Sequence, residues 1–277
     1  MKRPAIGSVE DLEIDLLIEG LYRHSGFDFR GYARSSLRRR VRGVVETEQV
    51  PTVSALQDRV LHDPACLHRL LLGLSVHVSA MFRDPRFFLA FRRKAVPLLR
   101  TYPFIRIWQA GCSTGEEVYS LAILLQEEGL YDRCRIYATD MNEVVLQQAR
   151  EGIFPLEAMQ RYTANYHASG GTEELSSYYT AAYDSVIFRP SLRERVVFSQ
   201  HNLASDGPFN EFNVILCRNV MIYFGEELQA RVHDLFARSL TTFGLLGLGS
   251  HESIQFGPAE RRYEPLESGE KLFRRVH

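Results

Sequence analysis

The stretch Ile105-Arg106-Ile107-Trp108-Gln109-Ala110-Gly111-Cys112-Ser113-Thr114-Gly115-Glu116-Glu117-Val118-Tyr119-Ser120 decides the fold. It opens apolar, breaks at a glycine, carries small and polar residues, then resumes at helical spacing. Ile105, Ile107 and Ala110 fit a buried strand, and Gly111 and Gly115 bracket a tight turn. Glu117, Val118, Leu121, Ala122 and Leu125 then predict a helix with one apolar face. A strand, a glycine turn and a helix are how a doubly wound α/β sheet brings backbone close to a cofactor. Residues 135–140 read as the next strand. It ends in Asp140, where a carboxylate can accept hydrogen bonds from both ribose hydroxyls. The turn lacks the full three-glycine dinucleotide fingerprint, so a plain turn is the alternative. Asp140 one strand later favours a nucleoside cofactor.

The chain has 277 residues, 45% hydrophobic and 24% charged, enough for one large domain and a small one. A net charge of −1 argues against general nucleic-acid binding. Cys66, Cys112, Cys134 and Cys217 are scattered and form no CxxC pair. They fit a reducing compartment, with no disulfide framework and no metal site. Residues 1–7 lack a hydrophobic signal core, and no apolar run reaches the ~18 residues of a membrane span. A cytoplasmic protein is the expectation.

Working outward, Ser8 starts an amphipathic helix, with Asp11 three positions on and Gly26 as its stop. A second helix begins near Ser35, with Leu37, Val41, Val44 and Val45 on one face. Arg38, Arg39, Arg40 and Arg42, with Arg34 before them, crowd the other. That face is either simply solvated or a docking face for an acidic partner. Thr52 caps a third helix with Val53, Leu56, Val60 and Leu61 inward, and a fourth follows around 67–74. The division expected is an all-helical domain over 1–76 and a sheet domain over 77–277. Phe82, Phe87 and Phe88 read as core. Arg83 reads as a surface arginine paired with Asp84, or as a functional group.

After Asp140, a helix over 142–152 covers the sheet. Residues at about 155–195 then change to small, polar and aromatic composition, which predicts a loop with short antiparallel strands. Insertions of this kind often handle a substrate or partner. The sheet resumes over 196–203, with Asn202 ending the strand. Residues 212–219 form a near-continuous apolar run, as expected of a strand buried on both faces. A helix over 226–240, a strand over 244–249 and an edge strand over 271–276 complete the chain. Ligands bind at the carboxyl edge of such sheets, so Asp140, Asn202, Arg218, Asn219 and Tyr223 are expected to converge.

Three segments carry a family likeness: 110–120, then Ala138-Thr139-Asp140, then Cys217-Arg218-Asn219-Val220-Met221-Ile222-Tyr223-Phe224. Together they resemble the chemotaxis receptor methyltransferases, the CheR family, over nearly the whole chain. The resemblance implies an α/β architecture. A small helical domain precedes a Rossmann-like methyltransferase domain that carries a small antiparallel insertion. It implies transfer of a methyl group from S-adenosylmethionine to glutamate side chains of chemoreceptors, leaving S-adenosylhomocysteine. Cofactor contacts are implied for His77, Ser79, Arg83, Gly111, Glu117, Asp140, Asn202, Leu203, Arg218 and Asn219. Arg83 and Tyr223 fall on the catalytic pair. The basic helix, with Arg34, Arg38, Arg39 and Arg42, falls on the surface that docks receptor helices. A monomer acting on chemoreceptor cytoplasmic helices is implied, with neither nucleic acid nor membrane insertion.

Two departures stand out. The family commonly has threonine where Ser79 stands and glutamate where Ala80 stands. Residues 178–188 lack the glycine with which some members grip a peptide tether at the receptor's end, so no tether is expected. The alternatives are a methyltransferase for another protein, a nucleic acid or a small molecule, and a non-catalytic S-adenosylmethionine-binding signalling module.

Overall fold

The computed structural model describes residues 8–75, 79–254 and 261–276. The chain divides into two compact units, and no helix among the described residues is long and apolar enough to cross a membrane.

The first unit is helical: α1 (Val9–Ser25), α2 (Arg34–Thr47), α3 (Val53–His62) and α4 (Pro64–Leu74). Local chemistry sets the ends. Ser8 and Asp11 form a reciprocal capping box, and Gly26 closes α1 in the left-handed region at φ 79°. Thr52 caps α3 by accepting from the Ala55 N–H at 3.1 Å. Asp63 caps α4, whose first residue is Pro64. Ile14, Leu17, Leu21, Leu37, Val41, Leu56 and Leu70 fill the core. Leu61, expected inward, is 37% exposed. The short α3 buries one ridge, Val53, Leu56 and Val60, and Leu61 lies beside that ridge. The unit also takes in Tyr223–Gln229, far along the chain. The Ala33 N–H donates to the Tyr223 carbonyl at 2.9 Å, and the Gly225 N–H to that of Gly31 at 2.8 Å.

The second unit holds a seven-stranded sheet. Its strands are β1 (Ile105–Ala110), β2 (Cys134–Asp140), β6 (Val196–Gln200), β7 (Phe212–Cys217), β8 (Leu240–Leu248), β9 (Tyr263–Pro265) and β10 (Leu272–Arg275). The order is β6-β2-β1-β7-β8-β10-β9. The first five are parallel, and β10 pairs antiparallel with both neighbours. The strand expected at the edge, β10, is therefore interior. The edge is β9, three residues ending in a proline, a residue that edges tolerate and sheet interiors do not.

Between β1 and β2 runs α7 (Glu116–Glu127), and α8 (Glu143–Glu151) follows β2, capped by Asn142 and closed by Gly152. The sequence predicts one apolar face for α7, but residues 116–125 are all buried. Its far side is covered by a second, three-stranded antiparallel sheet of β3 (Ile153–Pro155), β4 (Tyr179–Ala182) and β5 (Ser185–Phe188), in the order β3-β5-β4. Phe154 and Phe188 each set their rings 5.5 Å from that of Tyr119 on α7. A helix, α9 (Met159–Ala168), lies within this insertion. Phe82, Phe87 and Phe88 are core residues, as the sequence suggests.

Candidate cofactor and active site

Parallel pairing brings the carboxyl ends of β1, β2, β6, β7 and β8 to one edge. Ala110 lies opposite Thr139, Asp140 opposite Gln200, and Cys217 opposite Leu248. The chain leaves β1 through three residues with positive φ: Gly111 at 70°, Ser113 at 50° and Gly115 at 95°. A Cβ on Gly111 would stand 2.4 Å from Cγ2 of Val220, so this turn lies directly against the segment after β7.

Asp140 ties the turn to β2. Its Oδ2 accepts from the Ser113 N–H and its Oδ1 from the Asn142 N–H, both at 3.0 Å. Burial pushes its carboxyl above the ordinary aspartate range, and those N–H groups pull it back. Glu116 opens α7 beside it, with burial raising its carboxyl. Glu116 takes hydrogen bonds from Thr114 at 2.6 Å and from the Ser79 side chain. Serine thus keeps the hydroxyl contact open to threonine. Ala80, where glutamate is common, packs against the hydrophobic core.

Arg218 follows β7 and turns inward. Its side chain is 1% exposed. Nη1 donates to Oε2 of Glu117 at 2.6 Å. Nη2 donates to the Arg83 carbonyl at 3.1 Å and to Asp84 at 3.0 Å. The guanidinium carbon sits 4.1 Å from the ring centroid of Phe87. Glu117 is fully engaged, because its Oε1 accepts from Gln109 Nε2 at 2.9 Å. Asp84, the neighbour of Arg83, pairs with Arg218. Glu117, Arg218, Asp84 and the Arg83 backbone form one buried network, which holds the chain at Arg83 in place.

Asn202 lies two residues past the end of β6 rather than ending it. There it opens a turn, its Oδ1 accepting from the Ala204 N–H at 2.9 Å, and Leu203 is buried. Asn219 takes a left-handed backbone at φ 61°. Tyr223 groups with the helical unit, where the Arg40 guanidinium lies 4.2 Å over its ring. His77 lies outside the described residues. On the basic helix, Arg34 pairs with Asp15, Arg38 with Asp11, and Arg42 with Glu10 at 2.5 Å. Arg39 is exposed and makes no ion pair among the described residues. Sequence reasoning missed Glu252, a 5% exposed carboxylate that accepts four backbone N–H bonds from Gly249 and residues 219–221. Its only signal is an acidic residue shortly after an apolar strand.

The edge fits a nucleoside cofactor. It offers a carboxylate, a glycine turn with left-handed backbone, and three buried polar atoms without a protein partner among the described residues: Ser113 Oγ, Asn142 Nδ2 and Asn219 Oδ1. Among the described residues no group of three His, Cys, Asp or Glu could hold a metal ion.

Fold and edge together define a Rossmann-like methyltransferase that uses S-adenosylmethionine. Residues 77–270 match the CheR methyltransferase SAM binding domain and residues 12–75 the CheR methyltransferase all-alpha domain, so the chain belongs to the CheR methyltransferase family. It is 50% identical over 265 residues to a Pseudomonas putida protein named "Putative methyltransferase Cher3", covering 96% of this chain and 97% of that one. A chemotaxis protein methyltransferase of Listeria innocua is 28% identical over 256 residues, covering 91% and 94%. That of Escherichia coli K12 is 31% identical over 207 residues, covering 69% and 65%.

Proposed function

We propose that this chain methylates glutamate carboxylates on the cytoplasmic helices of a chemoreceptor, giving glutamyl methyl esters, and does so without a peptide tether at the receptor's end. The carrying observation is the clamp on Arg83: its carbonyl is fixed by Arg218, which is itself fixed by Glu117 and Asp84. The names of the Listeria innocua and Escherichia coli relatives support the chemotaxis setting. In this reading Asp140 takes the ribose hydroxyls. Ser79, Gly111, Glu117, Asn202, Leu203, Arg218 and Asn219 shape the remainder of the cofactor site.

When bound, S-adenosylmethionine supplies a sulfonium methyl. That methyl would pass to a carboxylate oxygen, with sulfur keeping the electron pair of the bond it loses. A glutamate acceptor, with an unperturbed pKa of about 4.3, is already ionised at neutral pH. No proton moves, so the chain needs no general base. Its contribution is alignment, for which effective molarities reach roughly 10⁵ M and above. Arg83 holds one carboxylate oxygen and leaves the other to attack. Tyr223 steadies the acceptor with a hydrogen bond, a role that rests on the motif likeness.

The test incubates the protein with tritiated S-adenosylmethionine and membranes from the source cells. Each labelled band is treated with mild base and the volatile methanol counted. Base-labile label in a membrane protein is expected. Base-stable label, or label in nucleic acid, means a different acceptor. Cofactor binding without any label means a signalling module.

A further inference from the structure

Glu252 follows β8 and plays no part in the mechanism above, yet its buried carboxylate accepts four backbone N–H bonds. Its Oε2 accepts from the N–H of Gly249 at 2.6 Å and of Asn219 at 3.0 Å. Its Oε1 accepts from Val220 at 2.9 Å and Met221 at 2.8 Å. Burial raises this carboxyl and the four N–H groups pull it back, and with all four donors aimed at its two oxygens an amide NH₂ would have no acceptor here. The backbone around it is shaped to admit the carboxylate. Asn219 adopts φ 61°, which turns three successive N–H groups inward. A Cβ on Gly249 would stand 2.8 Å from both the Asn219 nitrogen and Oε2 of Glu252.

The held segment links two parts of the cofactor edge. Val220 presses on the turn at Gly111, and Asn219 carries a buried Oδ1 without a protein partner among the described residues. Arg218, one residue before, carries the clamp on Glu117 and Arg83.

We propose that Glu252 is a positioning residue for cofactor binding: its carboxylate holds 219–221 so that Asn219 and the Gly111 turn are presented in binding geometry. The inference rests on cofactor use and not on the identity of the methyl acceptor. A failure of the glutamate reading would appear in the acceptor assay and in neither readout below.

The first readout is calorimetric affinity for S-adenosylhomocysteine in wild type, Glu252→Gln, Asn219→Gly and the double variant. Glu252→Gln keeps the shape but turns an NH₂ against two donors. We expect its dissociation constant to rise roughly tenfold or more, the scale of one charge-assisted hydrogen bond. The double variant should be no worse than Glu252→Gln, because both act through Asn219. A merely structural role would lower the melting temperature and leave the affinity of the folded fraction unchanged; that result, or additive losses, overturns the proposal. The second readout needs no variant. Amide exchange at 219–221 in the wild-type protein should be as slow as in β7, and exchange at open-loop rates overturns the proposal even if Glu252→Gln does not fold.

Discussion

Arg218 and Glu117 are joined by a 2.6 Å charge-assisted bond with the two side chains 1% and 10% exposed. Exposed ion pairs contribute little, but removing one partner of a buried pair strands the other and costs about 3–5 kcal/mol. Arg218 also spans Asp84 and the Arg83 carbonyl, which needs a planar fork rather than a point charge. Arg218→Lys therefore keeps the charge and loses the span. We expect methyl transfer to fall at least tenfold, together with a lower melting temperature, read by turnover and calorimetry on the same preparation. Full turnover in Arg218→Lys would mean the clamp does not set the position of Arg83.

The helical unit carries an acid-sensitive pair. Glu48 is 9% exposed and bonded by Arg59 and Arg69. The hydrogen bond from Arg69 is the main cause that holds its carboxyl down at about 2, against an ordinary 4.5. A folded pKa below the unfolded one means the unfolded chain takes up the proton first. The stabilisation is then complete above about pH 4.5 and is lost as pH falls toward 2. The gap in melting temperature between wild type and Glu48→Gln should narrow steadily as pH falls from about 4.5 to 3. A constant gap across that range would exclude the pair as a source of acid sensitivity.

Much of this was legible in the chain. The glycine turn, the acid at the end of the second strand and the long apolar run at 212–217 specify a parallel sheet, because spacing and burial on both faces are written locally. Caps at Ser8, Thr52 and Gly26 were legible for the same reason. What was hidden depends on contacts distant in sequence. The burial of α7 on every side follows from Phe154 and Phe188, which close over Tyr119. The edge position of β9 was masked by its three-residue length. At the site, residue types flagged Asp140 and Arg218, but not that Arg218 points inward to Glu117. Glu252 reaches three of its four partners across 31 to 33 residues, with no motif to mark the distance.

Asp140 should be separable from Arg83 by experiment. Burial raises the Asp140 carboxyl, and its ionised form is the one that accepts ribose hydroxyls. Affinity for S-adenosylhomocysteine should therefore weaken as pH falls through a value above that of a free aspartate, and Asp140→Asn should flatten the profile while weakening binding at neutral pH. Arg83→Ala and Tyr223→Phe should instead lower kcat, by roughly tenfold or more; Tyr223→Phe should leave product affinity nearly unchanged, whereas Arg83→Ala, implied for the cofactor as well as the acceptor, should weaken it too. If both variants turned over fully while Asp140→Asn lost the cofactor, the two catalytic assignments would fall.

Docking through the basic helix makes a charge prediction. Arg34, Arg38 and Arg42 are each engaged by an acid on α1, and only Arg39 of the four makes no ion pair among the described residues. Exposed pairs of this kind contribute little, so an acidic receptor helix can compete for them. Arg39→Glu should raise the KM for receptor without changing affinity for S-adenosylhomocysteine. Glu10→Gln frees Arg42 from its 2.5 Å partner and should lower that KM. Both effects should shrink as ionic strength rises from about 0.01 M to 1 M, where the screening length falls from about 30 Å to 3 Å. Receptor methylation that ignores salt and both substitutions would place the docking surface elsewhere, with the exposed apolar stripe of Val9, Leu12 and Leu16 on α1 the next face to vary.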